Sequence, residues 1–228
     1  MVKLFLDTAS ISEMDEMKNE VQGFTTNPSL MRKAGVTDYL GHGKAICDRF
    51  RNHWVSLEVI ADDFDEMEYQ ANKLNNCGSN VFVKIPVTNT KGDSSGRLIK
   101  KLASEGIKVN VTAVFTKKQI NAVVKVLIDS SAPAIISVFA GRIADTGVDP
   151  VRIIGYANEI SRPHRHIDIL WASTRQVFDV HFSAGADIIT VSRDILKRMA
   201  LKEKDLDDYS RETVKQFYDD AKEAGYSI

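Results

Sequence analysis

Asn80-Val81-Phe82-Val83-Lys84-Ile85, followed by Pro86, sets one lysine inside an otherwise apolar run. Ala134-Ile135-Ile136-Ser137-Val138 repeats the form with a serine in the same kind of place. Continuous Val- and Ile-rich runs of this length suit strands buried on both faces of a parallel sheet. Similar short runs recur at 3–7, 22–25, 53–59, 80–85, 107–112, 133–138, 166–171 and 186–191.

Between the runs the period turns helical. Ile11, Met14 and Met17 mark one apolar face, as do Phe64, Met67, Ala71 and Leu74, and again Leu98, Ile99 and Leu102. Asp149-Pro150 reads as an N-cap followed by proline at the first helical position, with Ile153, Ile154 and Ala157 behind it. Val177, Val180 and Ala184 are expected on the helix after the seventh run. Strand-like runs alternating with helices predict a parallel α/β fold, and eight such units suit a single closed (β/α)₈ TIM barrel. The alternative is a doubly wound open sheet. It is weakened because no Gly-x-Gly-x-x-Gly follows any strand. No linker or low-complexity tract divides the chain, so 1–228 is expected to form one domain, with 205–228 as a C-terminal helical tail. In that tail Ser210 is expected to cap a last helix carrying Val214, Phe217 and Ala221.

Thirty Lys and Arg nearly balance 31 Asp and Glu, for a net charge of -1, so the sequence has no nucleic-acid footprint and no cationic membrane-binding surface. An anionic ligand would need a local cluster of cations. No stretch approaches the roughly 18–20 apolar residues of a membrane span. The start, Met1-Val2-Lys3-Leu4-Phe5-Leu6-Asp7, meets a charge too soon for a signal peptide. Cys47 and Cys77 are too few and too far apart to imply a disulfide framework, and a reducing cytoplasm is the expected compartment.

In α/β barrels, active sites form at the C-terminal ends of the strands. The runs end in or near Asp7, Thr25-Thr26-Asn27-Pro28, Glu58, Lys84, Asn110 and Thr112, Ser137 with Phe139 and Arg142, Ser173 and Arg175, and Thr190 with Ser192. Lys84 is the most informative of these. Alternation turns it into the barrel, and a lysine is almost never buried without a partner or a task. Desolvation lowers a lysine pKa and supplies the neutral amine that attacks a ketone. The plainer reading is an ion pair with Asp7 or Glu58. Those carboxylates are candidate acids and bases for bond cleavage beside an imine. Equally, Asp7 could cap the following turn and Glu58 could tie down Lys84. Arg142, Ser173 and Arg175 form a candidate phosphate grip, since arginine offers forked donors and phosphate sites near the last strands are frequent in barrels. The competing reading pairs these arginines with Asp145 or Asp179.

Other features read as structure. His53, His164, His166 and His181 lack metal-ligand spacing, and no metal or organic cofactor is expected. Trp54 and Trp171 are expected in core or barrel lining, Asn75-Asn76-Cys77-Gly78 in a turn, Cys47 in helix packing and Lys117-Lys118 at a solvated helix start.

Several elements together resemble the transaldolase family, in particular its short single-barrel members related to fructose-6-phosphate aldolase. They are Leu4-Phe5-Leu6-Asp7-Thr8-Ala9, Thr25-Thr26-Asn27-Pro28-Ser29-Leu30, Val83-Lys84-Ile85-Pro86, Asn110-Val111-Thr112, Ser137-Val138-Phe139-Ala140-Gly141-Arg142-Ile143 and Ala172-Ser173-Thr174-Arg175. The stretch 184–190 also fits. The resemblance implies that Lys84 is the Schiff-base lysine and Asp7 the acid/base carboxylate of carbon–carbon cleavage. It implies that Glu58 and Thr112 hold the catalytic water, and that Asn27, Asn110 and Ser137 bind substrate hydroxyls. Arg142, Ser173 and Arg175 would hold the phosphate. The implied reaction moves a dihydroxyacetone unit from a ketose phosphate, such as sedoheptulose 7-phosphate or fructose 6-phosphate, to an aldose phosphate in central sugar-phosphate metabolism. Short members assemble into rings, often pentamers or decamers, through C-terminal helices, so a homo-oligomer is implied.

Transaldolases carry Glu and Phe where the aldolases that release dihydroxyacetone carry Gln and Tyr, and this chain has Glu58 and Phe139. The sequence departs from the pattern at Thr190-Val191-Ser192, where many short members place proline soon after the threonine, and in the Trp and Thr of 171–175. These departures leave room for a donor other than the common ketose phosphates. The rivals are release of free dihydroxyacetone, transfer on a non-standard sugar in a biosynthetic pathway, and a silent sugar-phosphate-binding barrel.

Overall fold

The structure is a computed structural model describing residues 2–228; the side chain of His181, and with it the reading made of that residue, lies outside what is described. Eight parallel strands close into a barrel in chain order. They are β1 (Lys3–Asp7), β2 (Gly23–Thr25), β3 (Trp54–Glu58), β4 (Val81–Pro86), β5 (Val109–Val114), β6 (Ala134–Val138), β7 (Ile167–Trp171) and β8 (Ile188–Val191). Pairing of β8 with β1 through Lys3–Ile188 and Phe5–Thr190 completes the ring, so the open sheet is ruled out.

Alternation divides each strand between two environments. Outward residues such as Val55, Leu57, Val83, Ile85, Val109, Val111, Ile136 and Ile169 pack under the helices in one continuous buried cluster. Inward residues form a second cluster of Phe5, Phe82, Ile135, Leu170, Ala172 and Ile188, against which Trp54 and Phe139 pack. Trp54 thus lines the barrel, whereas Trp171 faces the helices. The barrel floor is aromatic. Trp54 meets Phe5 edge-on at 6.0 Å between centroids and Phe82 at 5.0 Å. Lys3 lies 4.5 Å above the Trp54 ring and 3.0 Å from Asp168, closing that end with charge that stays near water. Gly23 makes room for this packing. A Cβ there would lie 2.7 Å from Phe5 Cζ and 2.8 Å from the Trp54 carbonyl oxygen.

The helices around the barrel follow from local signals. Ser10 caps α1 (Ile11–Met17), Asp63 caps α4 (Phe64–Asn75) through the amides of Asp65 and Glu66, and Thr116 with Gln119 forms a capping box on α6 (Lys117–Leu127). The apolar spacing puts Met67, Ala71 and Leu74 of α4, and Leu98, Ile99 and Leu102 of α5 (Gly96–Ser104), onto the barrel. Between β2 and β3 lie α2 (Pro28–Lys33) and α3 (Tyr39–Arg49), capped by Asn27 and Asp38. A short α7 (Ala140–Asp145) follows β6, before α8 (Val151–Ser161). The Asp149 carboxylate accepts from the Val151 amide, so Pro150 stands one place ahead of the first helical position expected for it.

Two expectations need correction. The helix after β7, α9 (Val177–Phe182), ends before Ala184, whose backbone is left-handed at φ 49°, so Ala184 packs from the turn into β8. After α10 (Arg193–Arg198), the last helix is α11 (Leu206–Glu223), and its cap is Asp205, which accepts from the Asp208 amide. Ser210 lies inside this helix. Asp205 precedes Asp207 and Asp208 in the first turn, where negative charge suits the amide end of the helix. No residue of α11 is buried, and Leu206, Val214, Phe217 and Tyr218 are exposed. Cys47 and Cys77 are buried free thiols, and burial pushes the Cys47 thiol up to about 12. Among the described residues no helix is long and apolar enough to cross a membrane.

Candidate active site

Strand register builds the site one layer above the aromatic floor. Glu58 stands beside Lys84, Lys84 beside Asn110, and Asp7 beside Thr25 on neighbouring strands. All of them point inward because neighbouring residues in register share a face of the sheet. Lys84 is only 6% exposed. Its Nζ lies 2.9 Å from Glu58 Oε2 and donates to the Thr26 carbonyl oxygen at 2.8 Å. A buried ammonium persists only with such partners. The plainer reading of Lys84 is therefore realised as an ion pair, and this pair also leaves a carboxylate at the proton that the amine must lose to react.

A cavity of about 90 Å³ opens above this layer. Asp7, Asn27, Lys84, Thr112, Ser137, Phe139, Arg142 and Ser173 line it, as do Thr25 and Thr190. Of the eleven predicted site residues, Glu58, Asn110 and Arg175 do not. Glu58 reaches the cavity through Lys84, and its backbone carbonyl accepts from the Tyr39 hydroxyl at 2.8 Å. Asn110 is fully buried one layer back. Its amide donates to Ser56 Oγ at 3.1 Å, and its Oδ1 accepts from Ser137 Oγ at 2.6 Å. Ser137 therefore faces the cavity with its orientation fixed by Asn110. Arg175 lies outside, on the surface, where its guanidinium is paired with Asp145.

Two side chains have bonding capacity to offer. Thr112 Oγ1 is buried with no hydrogen-bond partner, an arrangement that is costly unless a ligand or water uses it. Asn27 spends its Oδ1 on the Leu30 amide at the start of α2, which leaves its amide nitrogen for a ligand. Thr112 is aimed by an irregularity: the β5–β6 register shifts between Val111 and Val114, and Ala113 between them is left-handed at φ 56°. Phe139 follows β6 with its ring centroid 5.6 Å from that of Phe115, and the Arg142 guanidinium lies over the Phe139 ring, 5.5 Å from its centroid.

The β6 and β7 ends are locked together. The Gly141 amide donates to the Ala172 carbonyl oxygen, and a Cβ on Gly141 would fall 1.6 Å from the Ser173 carbonyl oxygen. Only glycine permits that approach, and Ser173 itself is left-handed at φ 67°.

Burial pushes the Asp7 carboxyl above its ordinary range, and Glu58 adds to the rise; Lys84 and a 2.7 Å hydrogen bond from Thr25 Oγ1 oppose it. Asp7 also borders a second cavity of about 370 Å³ lined by Thr8, Glu13, Lys33 and Arg193. A cavity of about 1010 Å³ lies on the opposite face among Asn158, Arg162, His164 and Asp187 and holds none of the predicted residues. His53 and His166 bond the carbonyl oxygens of Lys18 and Leu127. Among the described residues no group of three or more His, Cys, Asp or Glu could hold a metal ion.

Thr25 and Thr190 were visible as strand ends but carried no assigned role. Thr26, although inside a quoted motif, acts through its backbone carbonyl, and Ser56 and Tyr39 act through second-layer contacts that no motif marks.

Residues 4–228 match the family described as Transaldolase/Fructose-6-phosphate aldolase. A probable transaldolase of Bdellovibrio bacteriovorus is 34% identical over 87% of this chain and 89% of its own length. A probable transaldolase of Nitrosopumilus maritimus is 35% identical over 87% of each. Among solved structures, 3-keto-L-gulonate-6-phosphate decarboxylase from Vibrio cholerae superposes with a TM-score of 0.58 at 12% identity, over 85% of this chain and 88% of that one. That likeness speaks for the barrel alone.

An acid whose value is raised by folding destabilises the fold when ionised. The penalty is absent below the ordinary value of roughly 4, grows as pH rises through the folded value, and is complete above it. Asp7→Asn is therefore expected to resist urea better than the parent at pH 7, with the gap narrowing as pH falls towards 4. A gap that widens in acid would contradict the burial effect.

Proposed function

The chain belongs to the transaldolase/fructose-6-phosphate aldolase family, and from that membership we propose that it transfers a dihydroxyacetone unit from a ketose phosphate to an aldose phosphate through an imine on Lys84. The observation that supports this most is the buried Lys84 amine, paired with Glu58 and sharing a cavity with Asp7. Glu58 takes a proton from the ammonium as the neutral amine attacks the donor carbonyl. Loss of water from the carbinolamine needs a proton at the departing oxygen, and the free Thr112 hydroxyl holds that oxygen or water.

Asp7 then removes the proton from the hydroxyl beyond the bond to be broken. The electrons of that carbon–carbon bond pass into the protonated imine and leave an enamine on Lys84. Asp7 returns its proton when an acceptor aldehyde adds, and water finally frees the product from Lys84. Its raised pKa suits both directions, because a group acting as base and acid works best with a pKa near the working pH. The Asn27 amide nitrogen offers a donor to the three-carbon unit and Ser137, whose proton goes to Asn110, offers an acceptor, while Arg142 with Ser173 meets the phosphate at the cavity rim. Phe139 brings no hydroxyl to position water on the enamine, which favours transfer over release of dihydroxyacetone.

We place the reaction in the cytoplasm, in keeping with two free thiols, and treat 1–228 as one working domain. We also propose that α11 assembles copies of the chain, since its apolar side chains are exposed. Phe217→Asp is then expected to lower the mass found by light scattering; an unchanged mass would reject this role.

Borohydride trapping with fructose 6-phosphate, followed by peptide mass spectrometry, is expected to leave a reduced three-carbon adduct on Lys84 and none in Lys84→Ala. An adduct elsewhere, or normal turnover by Lys84→Ala, would end the imine reading. No adduct with this donor but one with a longer ketose phosphate would point to a non-standard sugar. Phe139→Tyr is expected to raise free dihydroxyacetone release from fructose 6-phosphate. An unchanged product ratio would remove Phe139 from control of water.

A further inference from the structure

Arg175 and Arg142 sit on the two segments that Gly141 and Ser173 lock together, yet only Arg142 lines the cavity. Arg175 is turned to Asp145, the last residue of α7, with Nε 3.2 Å from Oδ1 and a terminal nitrogen on Oδ2. This is the forked, two-point geometry in which a guanidinium also grips phosphate. One edge of the fork is therefore already taken by a carboxylate of the chain. Asp145 gains nothing from its helix, because negative charge in a last turn opposes the helix dipole. Its one described partner of opposite charge is Arg175. Meanwhile the Arg175 amide is held by Asp179, so the backbone is anchored while the side chain alone can swing.

Building on the proposed function, we infer that Asp145 sets the phosphate affinity of the site: it competes with the substrate phosphate for Arg175 and holds that arginine away from the cavity until a dianion displaces it. A doubly charged phosphate outbids a single carboxylate, whereas singly charged or neutral sugars do not. The pair thus weakens the grip on phosphorylated donors and leaves binding of donors without phosphate unchanged.

The test is titration of the full-length protein with inorganic phosphate, followed by isothermal calorimetry, in the parent, Asp145→Asn, Arg175→Ala and the double variant. Asp145→Asn should bind phosphate about two- to fivefold more tightly, the scale of one exposed charge interaction, and the gain should vanish in the Arg175→Ala background. Unchanged or weaker binding by Asp145→Asn would overturn the inference and make Asp145 an orienting partner or a bystander. A gain that survives without Arg175 would reduce it to general removal of negative charge and also overturn it. Trapping on Lys84 gives the second readout. Half-saturation by fructose 6-phosphate should fall in Asp145→Asn, and that by dihydroxyacetone, which lacks phosphate, should not move. Failure of all trapping beside the expected phosphate titrations would sink the functional reading and leave this one standing. Normal trapping with no change in phosphate binding would sink this one alone.

Discussion

The contact between Lys84 and Glu58 constrains the upper half of the barrel. Two charges withdrawn from water survive only while each satisfies the other, and removing one partner strands a buried ion. Thr26 gives Lys84 a second acceptor, and Tyr39 holds the carbonyl of Glu58 from α3. The ends of β2, β3 and β4 are thereby tied around one amine. A rigid frame suits the imine chemistry proposed for this amine, because misplacement of a reacting group costs rate steeply.

That polar layer rests on an apolar one. Phe5, Trp54 and Phe82 fill the floor, and Gly23 lets their rings interlock. The result is a shallow chamber with an apolar base, a ring of hydrogen-bonding groups and two carboxylates in unlike surroundings. Glu58 is neutralised by its ion pair, while Asp7 is desolvated and carries a raised pKa. Unlike environments let similar groups take different proton-transfer tasks.

The β6 and β7 ends obey another constraint, close backbone approach. Gly141 lets the start of α7 press on Ser173, which draws Arg142 and the β7 loop to the same rim. Asp145, one turn along α7, reaches Arg175 from that short helix. Capture of Arg175 by Asp145 was one of the two readings open from the sequence, whereas Arg142 lines the cavity.

The sequence by itself determined the barrel and most of the chamber. Period-two burial and strand-end polarity are local properties, so runs such as 80–85 and 133–138 declared their strands, and Asp7, Lys84, Thr112 and Ser137 their inward direction. Caps were less legible, because several residues near a helix start can serve: Asp205 won over Ser210, since its side chain reaches the Asp208 amide. The short helices α2 and α7, six residues each, lacked a long enough apolar stripe to stand out. Only the tertiary structure decided who partners whom. That Asn110 supports Ser137 from behind, that Ala113 turns left-handed beside Thr112, and that Arg175 faces Asp145 depend on distances between segments far apart in the chain. Hydrogen bonds and ion pairs act over a few ångströms, and closure of the barrel alone brings those segments within that range.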